Sequence, residues 1–339
     1  FEPDGTEAFV PAGTFLSKAA AASGCAVETP CGGMGICGKC RVIVSGTVGE
    51  PDVTERRILT EEQLASGMCL ACRTKITGEM TVTIPDTSRS LVQKILSQGV
   101  LRECEVRSWV SKVYCELSPP HLEDERAEFE RIATYLEARD IKLRPNLNVV
   151  RHLSQILRVS DYKVTAVVYG DELIAVERGD TSTRCYGIAY DLGSTTIVGY
   201  LMDLTTGREV AVSAVMNPQV VHGDDLVSRI LFATTEENGG AVLQDAAVDA
   251  LNRIAESLAK TAGISLDNVY KATVVGNTCM THLFLGIDVA SLGQSPYVPS
   301  MCSDVIVSAD KLGLQFSPEA KVIVLPNIAG FVGSDTVGV

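Results

Sequence analysis

The sequence predicts an α+β multidomain protein in which two small units precede an α/β region. Three observations lead to this prediction: the length of 339 residues, a segment rich in cysteine and glycine near the N-terminus, and a D-L-G-S-T-T turn between two apolar segments. A chain of this length is usually divided among two or three domains. We therefore expect domains at residues 1–86, 87–183 and 184–339.

The composition is that of a globular protein and excludes several classes of function. Hydrophobic residues make up 46% of the chain and charged residues 21%, a balance too apolar for a disordered protein. The net charge of −13 argues against a nucleic-acid partner, which requires a basic surface. No apolar run reaches the length of about 18 residues that a membrane span needs, so we expect no membrane segment.

Residues 1–86 are predicted to form one small α+β unit. The pattern indicates an Ala-rich helix at 14–23, a strand at 41–44, a short helix at 60–66 that opens with a capping box, and strands at 69–76 and 80–84. One main helix packed on a mixed sheet in this order is typical of the ubiquitin-like β-grasp fold.

Four cysteines of this unit are spaced as C-x5-C-x2-C-x31-C, namely Cys31, Cys37, Cys40 and Cys72. Four thiolates in such a set can hold the two irons and two sulfides of a 2Fe–2S cluster. The first three lie in a loop with four glycines, which let the backbone wrap closely around a cluster and direct its amides at the sulfurs. The sequence therefore predicts a 2Fe–2S site of ferredoxin type.

The main alternative is a zinc ribbon that uses a different pair of cysteines. Cys37 and Cys40 combine with Cys69 and Cys72 as C-x2-C-x28-C-x2-C. This alternative leaves Cys31 and the glycines without a role, and its two pairs are further apart than the usual spacing of about 15–20 residues. We therefore favour iron–sulfur and expect Cys69 to be a buried structural thiol.

The other cysteines and the charge indicate where the protein works. Cys25 could replace Cys31 in principle, but it lies outside the glycine loop and is better explained as a buried thiol. Eleven cysteines are too few for a disulfide scaffold in a chain of 339 residues, so we expect the reducing cytoplasm. An acidic surface would suit an electron carrier that docks on a basic partner.

Residues 87–183 are predicted to be a linker followed by a small mixed α/β region. The pattern indicates a strand at 106–117, helices at 122–139 and 149–157, and a hairpin that turns at Gly170 and Asp171.

Residues 184–339 begin with a buried strand at 186–190, a turn at 191–196 and strands at 197–201 and 209–215. Helices are expected at 225–233, 241–262 and 278–285, with a buried strand at 272–275. This arrangement resembles the first subdomain of the actin/hexokinase-like ATPase superfamily, whose fold is ribonuclease H-like.

The turn that follows the first of these strands is a candidate phosphate site. Gly193 permits a tight turn, and the amides and hydroxyls of Ser194, Thr195 and Thr196 can hold phosphate oxygens. Asp191 can hold Mg²⁺ through water. An ordinary hairpin turn is the alternative, and the absence of a GK[ST] sequence excludes a Walker A loop.

Weaker candidates lie further along the chain. Asp225 could face the phosphate site as a second catalytic residue, or it could be an acid favoured by a helix N-terminus. Asn277 and Thr278 could line the cleft or cap the next helix. The histidines do not cluster with carboxylates at metal spacing and are expected to be structural; they are His121, His152, His222 and His282.

Longer segments add a resemblance to a known family. CGGMGICGKCRVIVSG followed by LACR resembles the 2Fe–2S ferredoxin domains of multidomain redox proteins, in which the LAC cysteine, here Cys72, is the fourth ligand. The order ferredoxin, linker, GIAYDLGSTTIVGYLMDLTTG, NPQVVHGDDLVSRI, VVGNTCMTHLFLG and LPNIAGFVGSD resembles the reductive activators of corrinoid proteins along nearly the whole chain.

This resemblance implies an iron–sulfur protein that reduces Co(II) to Co(I) in a corrinoid protein of a methyltransferase system. It also implies ATP and Mg²⁺ as cofactors, a cellular electron donor, and an ATP-dependent reductive activase that could form a homodimer. The alternative function is a general electron-transfer module of a reductase or oxygenase, with a C-terminal scaffold that only dimerises. A response to nucleotide would separate the two functions.

The chain is expected to be a fragment clipped at both ends, because it starts at Phe1 and stops within an apolar, Gly-rich pattern. The second phosphate turn and the adenine-side glycines of the family would lie beyond position 339. We therefore expect this length of chain to bind ATP weakly or not at all.

Overall fold

A computed structural model describes residues 1–85, 88, 106 and 108–336, except for residues 4, 24, 26, 28–34, 36 and 48. The chain divides into two compact units. The first comprises residues 1–101 and 218–239, and the second comprises residues 102–217 and 240–339.

The helices of the described residues are α1 (Leu16–Ala22), α2 (Val53–Ile58), α3 (Glu61–Ala65), α4 (Glu128–Glu137), α5 (Leu147–Val159), α6 (Leu226–Thr235), α7 (Gly239–Ala262) and α8 (Thr278–Phe284). Their strands are β1 (Arg41–Gly46), β2 (Met68–Leu70), β3 (Met80–Thr83), β4 (Val110–Glu116), β5 (Lys163–Tyr169), β6 (Glu172–Arg178), β7 (Tyr186–Leu192), β8 (Thr196–Asp203), β9 (Glu209–Met216), β10 (Val269–Gly276), β11 (Val305–Ser308) and β12 (Lys321–Val324).

The N-terminal sheet has the order β2-β1-β3, with β1 antiparallel to both neighbours. Glu2 adds a parallel bridge to Thr83, which makes the sheet mixed as the β-grasp prediction requires. Alternate residues of β1, Val42 and Val44, point into a core that also contains Leu16 of α1. Burial of this apolar face is what holds the helix on the sheet.

The segment after β2 differs from its prediction. A strand at 69–76 was expected, but the strand ends at Leu70 and a turn follows at 71–73. Two backbone amides, those of Arg73 and Thr74, donate to the Leu70 carbonyl at 2.8 and 3.0 Å, which folds the chain back on itself. The apolar pattern of this segment therefore reflects burial in a turn and not an extended strand.

The region after the linker forms an antiparallel sheet of order β4-β5-β6. The predicted hairpin is present, with β5 and β6 joined at Gly170, whose φ is 60°. Helices α4 and α5 pack against this sheet through Ile132, Leu136, Leu153 and Leu157, all of which are almost fully buried.

The largest sheet has the order β11-β12-β10-β7-β8-β9. Strands β7, β8 and β9 form an antiparallel meander, β10 and β12 run parallel to β7, and β11 is an antiparallel edge strand. Helix α7, of 24 residues, connects β9 to β10 after the segment 218–239. This topology is the ribonuclease H-like arrangement predicted for the ATPase subdomain.

The helices are all too short or too polar to cross a bilayer in the part of the chain that the structure describes.

Candidate cluster and phosphate sites

The pairing of β1 with β2 brings two of the four predicted cluster cysteines together. Cys40 precedes β1 directly, Cys72 lies in the turn after β2, and the Ala71 amide donates to the Cys40 carbonyl at 2.9 Å. The sulfur atoms of Cys40 and Cys72 are 3.3 Å apart, and both side chains are buried. Cys37 is half-buried just before them, while Cys31 lies outside the described residues.

The surroundings of the Cys40 thiol differ from those of Cys69. Hydrogen bonding with the Cys72 side chain lowers the pKa of Cys40 to about 7; burial opposes this shift, and backbone hydrogen bonds assist it. Burial raises the pKa of Cys69 to about 11. Cys69 is enclosed in the N-terminal core, whereas Cys40 has the Cys72 sulfur as a hydrogen-bond partner.

At two glycines of the loop, a side chain would collide with neighbouring residues. Gly35 and Gly38 have φ values of 75° and 63°, in the left-handed region. A Cβ atom at Gly35 would lie 2.8 Å from Cδ of Arg73, and one at Gly38 would lie 2.8 Å from Cγ2 of Ile58. The loop therefore approaches its neighbours closely, as a backbone that wraps a cluster must.

The donor chemistry at this site fits an iron–sulfur cluster, although the described residues hold only part of the predicted set. Within the described ranges, no three side chains of His, Cys, Asp or Glu meet in a metal-binding arrangement. The full set of Cys31, Cys37, Cys40 and Cys72 remains a prediction.

A buried carboxylate beneath the Cys72 turn was missed by the sequence reasoning. Glu55 of α2 is 4% exposed and accepts hydrogen bonds from the Leu70 amide at 2.8 Å and from the Thr74 hydroxyl at 3.0 Å. It also closes a capping box with Asp52, which in turn binds Arg73 at 2.8 Å. The signal was present in the sequence as D-x-x-E at Asp52 and Glu55.

The predicted phosphate turn joins β7 to β8. A Cβ atom at Gly193 would lie 2.4 Å from the Thr196 carbonyl oxygen, so only glycine fits there. The fully buried Asn217 fixes the turn, because its Nδ2 donates to the Gly193 carbonyl and its amide donates to the Thr195 carbonyl, each at 2.8 Å. Asn217 opens the NPQVVHGDDLVSRI segment of the family resemblance, but the sequence predicted no role for it.

The turn presents hydroxyl groups next to two carboxylates. Ser194 is half-buried, and Thr195 and Thr196 are exposed. The pKa of Asp191 is raised, first by partial burial and then by the negative charge of Asp335. A divalent cation would relieve this repulsion, because carboxylate oxygens are the ligands that Mg²⁺ prefers.

Asp335 is placed by contacts that the sequence reasoning did not anticipate. Its amide donates to the carbonyl of Gly276, the last residue of β10, at 3.3 Å. The buried Ser334 hydroxyl bonds both the amide and the carbonyl of Gly276, at 3.1 and 3.0 Å. The G-S-D sequence at 333–335, which follows a buried strand, is the feature from which this turn could have been predicted.

The weaker candidates have local partners. Asp225 is the N-cap of α6, where its carboxylate accepts from the Ser228 amide at 2.7 Å, and hydrogen bonds with Ser228 lower its pKa. It belongs to the first compact unit, whereas Asp191 belongs to the second. Asn277 caps α8 by accepting from the Met280 amide at 3.0 Å.

Comparison with known families gives three matches that follow one another along the chain. A model described as the 2Fe-2S iron-sulfur cluster binding domain matches residues 1–77. Models described as the RACo linker region and the RACo middle region match residues 99–183 and 186–339. The N-terminal unit is therefore a 2Fe–2S ferredoxin domain.

Individual relatives agree with these matches. The corrinoid activation enzyme RamQ of Eubacterium limosum is 31% identical over 198 residues, which are 58% of this chain and 33% of that protein. One component of the Na⁺-translocating NADH-quinone reductase of Chlamydia muridarum is 34% identical over 77 residues, or 23% of this chain and 18% of that protein.

A solved structure titled as a reductive activator for a corrinoid, iron–sulfur protein is similar along nearly the whole chain. It is 30% identical with a TM-score of 0.63, and the match covers 99% of this chain and 56% of that one. The chain thus spans a third of RamQ and just over half of the solved activator.

Proposed function

Because this chain belongs to the RACo family, whose linker and middle regions it contains in order, we propose that it is the electron-transferring part of a reductive activator. Its target is a corrinoid protein whose cobalt has been oxidised to Co(II) and must return to Co(I). Its similarity to RamQ and to the solved activator supports this target.

The observation that carries the proposal is the pair of Cys40 and Cys72 sulfur atoms, 3.3 Å apart beside a loop that only glycine can form. Cys31 and Cys37 complete the set that would hold the cluster. When bound, a 2Fe–2S cluster accepts and releases one electron at a time. The protein keeps the Cys40 thiol readily ionised and encloses it in the core, which limits the access of water.

ATP and Mg²⁺ form a second part of the proposal. The amides and hydroxyls of Ser194, Thr195 and Thr196 would hold phosphate oxygens, Gly193 would allow the turn, and Asp191 with Asp335 would hold Mg²⁺. Co(I) is a very strong reductant, so its formation is uphill. Nucleotide turnover could offset that cost only if it switches the protein between states of different affinity for the corrinoid partner.

The test mixes the protein with a corrinoid protein in the Co(II) state and a chemical electron source, without oxygen. We expect the Co(I) absorption band to appear with the protein present and to be lost in Cys40→Ser. For the ATP part, a protein of the relatives' length should form Co(I) faster with ATP. No Co(I) under either condition would refute the proposal.

A second function is favoured by the similarity to the NADH-quinone reductase component over 77 residues. In that case the ferredoxin unit would serve a reductase, and the C-terminal region would be a dimerisation scaffold. Cluster reduction without Co(I) formation and without any response to ATP would favour this function.

A further inference from the structure

Basic side chains surround the loop that leads to Cys40. Some flank the predicted cluster ligands in the sequence, and others lie in the last turn of α2. We call this group the basic rim; it consists of Lys39, Arg41, Arg56, Arg57 and Arg73.

Three members of the rim adjoin the cysteines directly. Lys39 and Arg41 stand on either side of Cys40, and Arg73 follows Cys72. The Arg41 guanidinium is 3.4 Å from where a Cβ of Gly38 would be, so it lies over the loop. Lys39 is exposed and free to meet a partner.

The other two members come from the last turn of α2. Arg56 and Arg57 are both exposed, and the next residue, Ile58, contacts the loop at Gly38. The contact between α2 and the loop therefore places the last turn of the helix beside Gly38, and Nε of Arg56 donates to the Pro51 carbonyl at 3.2 Å.

The carboxylates beside the rim cancel only part of its charge. Asp52 is bound to Arg73 at 2.8 Å, and Glu55 is buried under the Cys72 turn. In the described part of the chain, no ion pair uses Lys39, Arg56 or Arg57. Glu61 and Glu62 follow only in the first turn of α3, where the helix dipole favours them.

The basic rim has the opposite sign of charge from the protein as a whole. Residues 1–85 contain seven basic and ten acidic residues, and the whole chain has a net charge of −13. The net charge alone suggests a basic partner, but the local field at the contact decides which protein docks there. The four rim cations other than Arg73 have no ion-pair partner in the part of the chain that the structure describes, so this side of the N-terminal unit is locally positive.

We propose that the basic rim is the docking surface for an acidic one-electron carrier protein that delivers the electron to the cluster. This inference rests on the proposed function, since it assumes that the cluster accepts electrons. In the step itself, one electron leaves the carrier and one is gained by this protein, and no bond forms or breaks.

The test uses reduced flavodoxin, a small acidic flavoprotein, as the probe. Its rate of cluster reduction is followed by stopped flow from low to high salt, and its binding is measured by calorimetry. Lys39→Gln/Arg57→Gln should slow reduction about tenfold at low salt and flatten the salt dependence, because steering by charge is lost. Lys39→Arg should keep the rate of the unchanged protein.

A matched control removes the same charge elsewhere in the same unit. Lys18→Gln/Lys75→Gln carries the same net charge as the rim variant, and both of these lysines are exposed. It should leave the flavodoxin rate within about twofold. Equal slowing in the two double variants, or weaker binding of flavodoxin than of the basic protein cytochrome c, would overturn the docking assignment.

Two further readouts separate the docking inference from the proposed function. Every variant should be reduced to completion by dithionite, because the ligand cysteines are intact; if the unchanged protein carries no cluster, both proposals fail.

A shift in the midpoint potential of the rim variant without any change in flavodoxin binding would mean that the cations only tune the cluster. Slower transfer to a corrinoid protein with a normal flavodoxin rate would assign the rim to the acceptor and refute the donor assignment.

Discussion

At the scale of the single residue, burial and hydrogen bonding give identical side chains different chemistry. Burial raises the pKa of Cys69, Cys115 and Cys185 to about 11. Hydrogen bonding with the Cys72 side chain instead lowers the pKa of Cys40 to about 7. A thiolate is needed both to bind a metal and to react. Cys40, a predicted cluster ligand, therefore differs from these three thiols in its hydrogen-bond partner.

The cysteines provide the first prediction. Cys40→Ser and Cys72→Ser should each reduce the visible absorbance and the iron content, because an alkoxide is a poor substitute for a thiolate toward iron. The unchanged protein should hold about two irons and two acid-labile sulfides. Iron analysis and absorption spectra make the measurement.

Cys69→Ser is the control for these variants, since Cys69 is buried in the same core. It should retain the iron and the spectrum. Loss of the metal in Cys69→Ser together with stoichiometric zinc in the unchanged protein would instead establish the zinc ribbon.

The second prediction concerns Asp191 and Asp335, and it is made for a protein of the relatives' length. A carboxylate must be ionised to hold Mg²⁺, so affinity is complete above the pKa of Asp191 and is lost as the pH falls through it. Asp335 raises that pKa. Asp335→Asn should therefore weaken binding at neutral pH and move the acidic loss of binding to lower pH.

Manganese binding followed by electron paramagnetic resonance across a pH series would measure this effect. Asp191→Asn should abolish Mg²⁺-dependent ATP hydrolysis, and Thr195→Val should weaken nucleotide binding by removing a hydroxyl. Asp249→Asn, an exposed position on α7, is the control. Normal hydrolysis by Asp191→Asn would remove Asp191 from the site.

At the scale of the element, buried polar side chains hold the short helix and the turn on which the candidate sites depend. Helix α2 has only six residues, too few for stability on its own, and is held through Glu55 to the end of β2 and to Thr74. The phosphate turn depends in the same way on the buried Asn217. Each of these elements is held by one buried polar side chain that forms hydrogen bonds between segments distant in the sequence.

The third prediction therefore concerns Glu55. Glu55→Ala leaves the Leu70 amide and the Thr74 hydroxyl without their acceptor, which should cost about 1–3 kcal/mol of the free energy of unfolding. Urea unfolding followed by circular dichroism measures this change in the free energy of unfolding.

Glu62→Ala, at an exposed position of α3, should change the free energy of unfolding by less than about 0.5 kcal/mol. A similar loss in Glu55→Ala and Glu62→Ala would show that the buried carboxylate does not anchor α2.

At the scale of the whole molecule, one compact unit holds most of the linker and middle regions, namely residues 102–217 and 240–339. Lys112 of β4, whose side chain is 1% exposed, binds Glu177 of β6 at 2.5 Å and approaches the hydroxyl of Tyr270 in β10 at 3.4 Å. Glu177 also accepts from Tyr270 and from Asn268. The ion pair thus lies within the β4-β5-β6 sheet, and its hydrogen bonds to Tyr270 connect it to the larger sheet of this unit.

The fourth prediction tests that connection. Lys112→Met leaves the half-buried Glu177 carboxylate without its cation and should lower the free energy of unfolding by about 1–3 kcal/mol. Lys112→Met/Glu177→Leu should recover part of the loss, because no unpaired charge remains. Calorimetric unfolding of the two variants measures the difference, and equal stability of both would refute a role for the charge pair.

Much of this protein can be inferred from local pattern. The C-x5-C-x2-C-x31-C spacing, the capping box at Thr60 and Gln63, the hairpin at Gly170 and the strands around the D-L-G-S-T-T turn were all readable, and the structure contains the capping box, the hairpin and those strands. Such features depend on residues close together in the chain. The role of the four cysteines and of the turn remains a prediction.

Only the tertiary structure decided which distant residues meet. It brings the Cys40 sulfur to that of Cys72, places Asp335 near Asp191, and buries Glu55 below Leu70. It also gathers the basic rim in a chain whose net charge has the opposite sign. The physical reason is that spacing and periodicity record local propensity and burial, whereas these contacts are set by strand register and helix packing, which join segments far apart in the sequence.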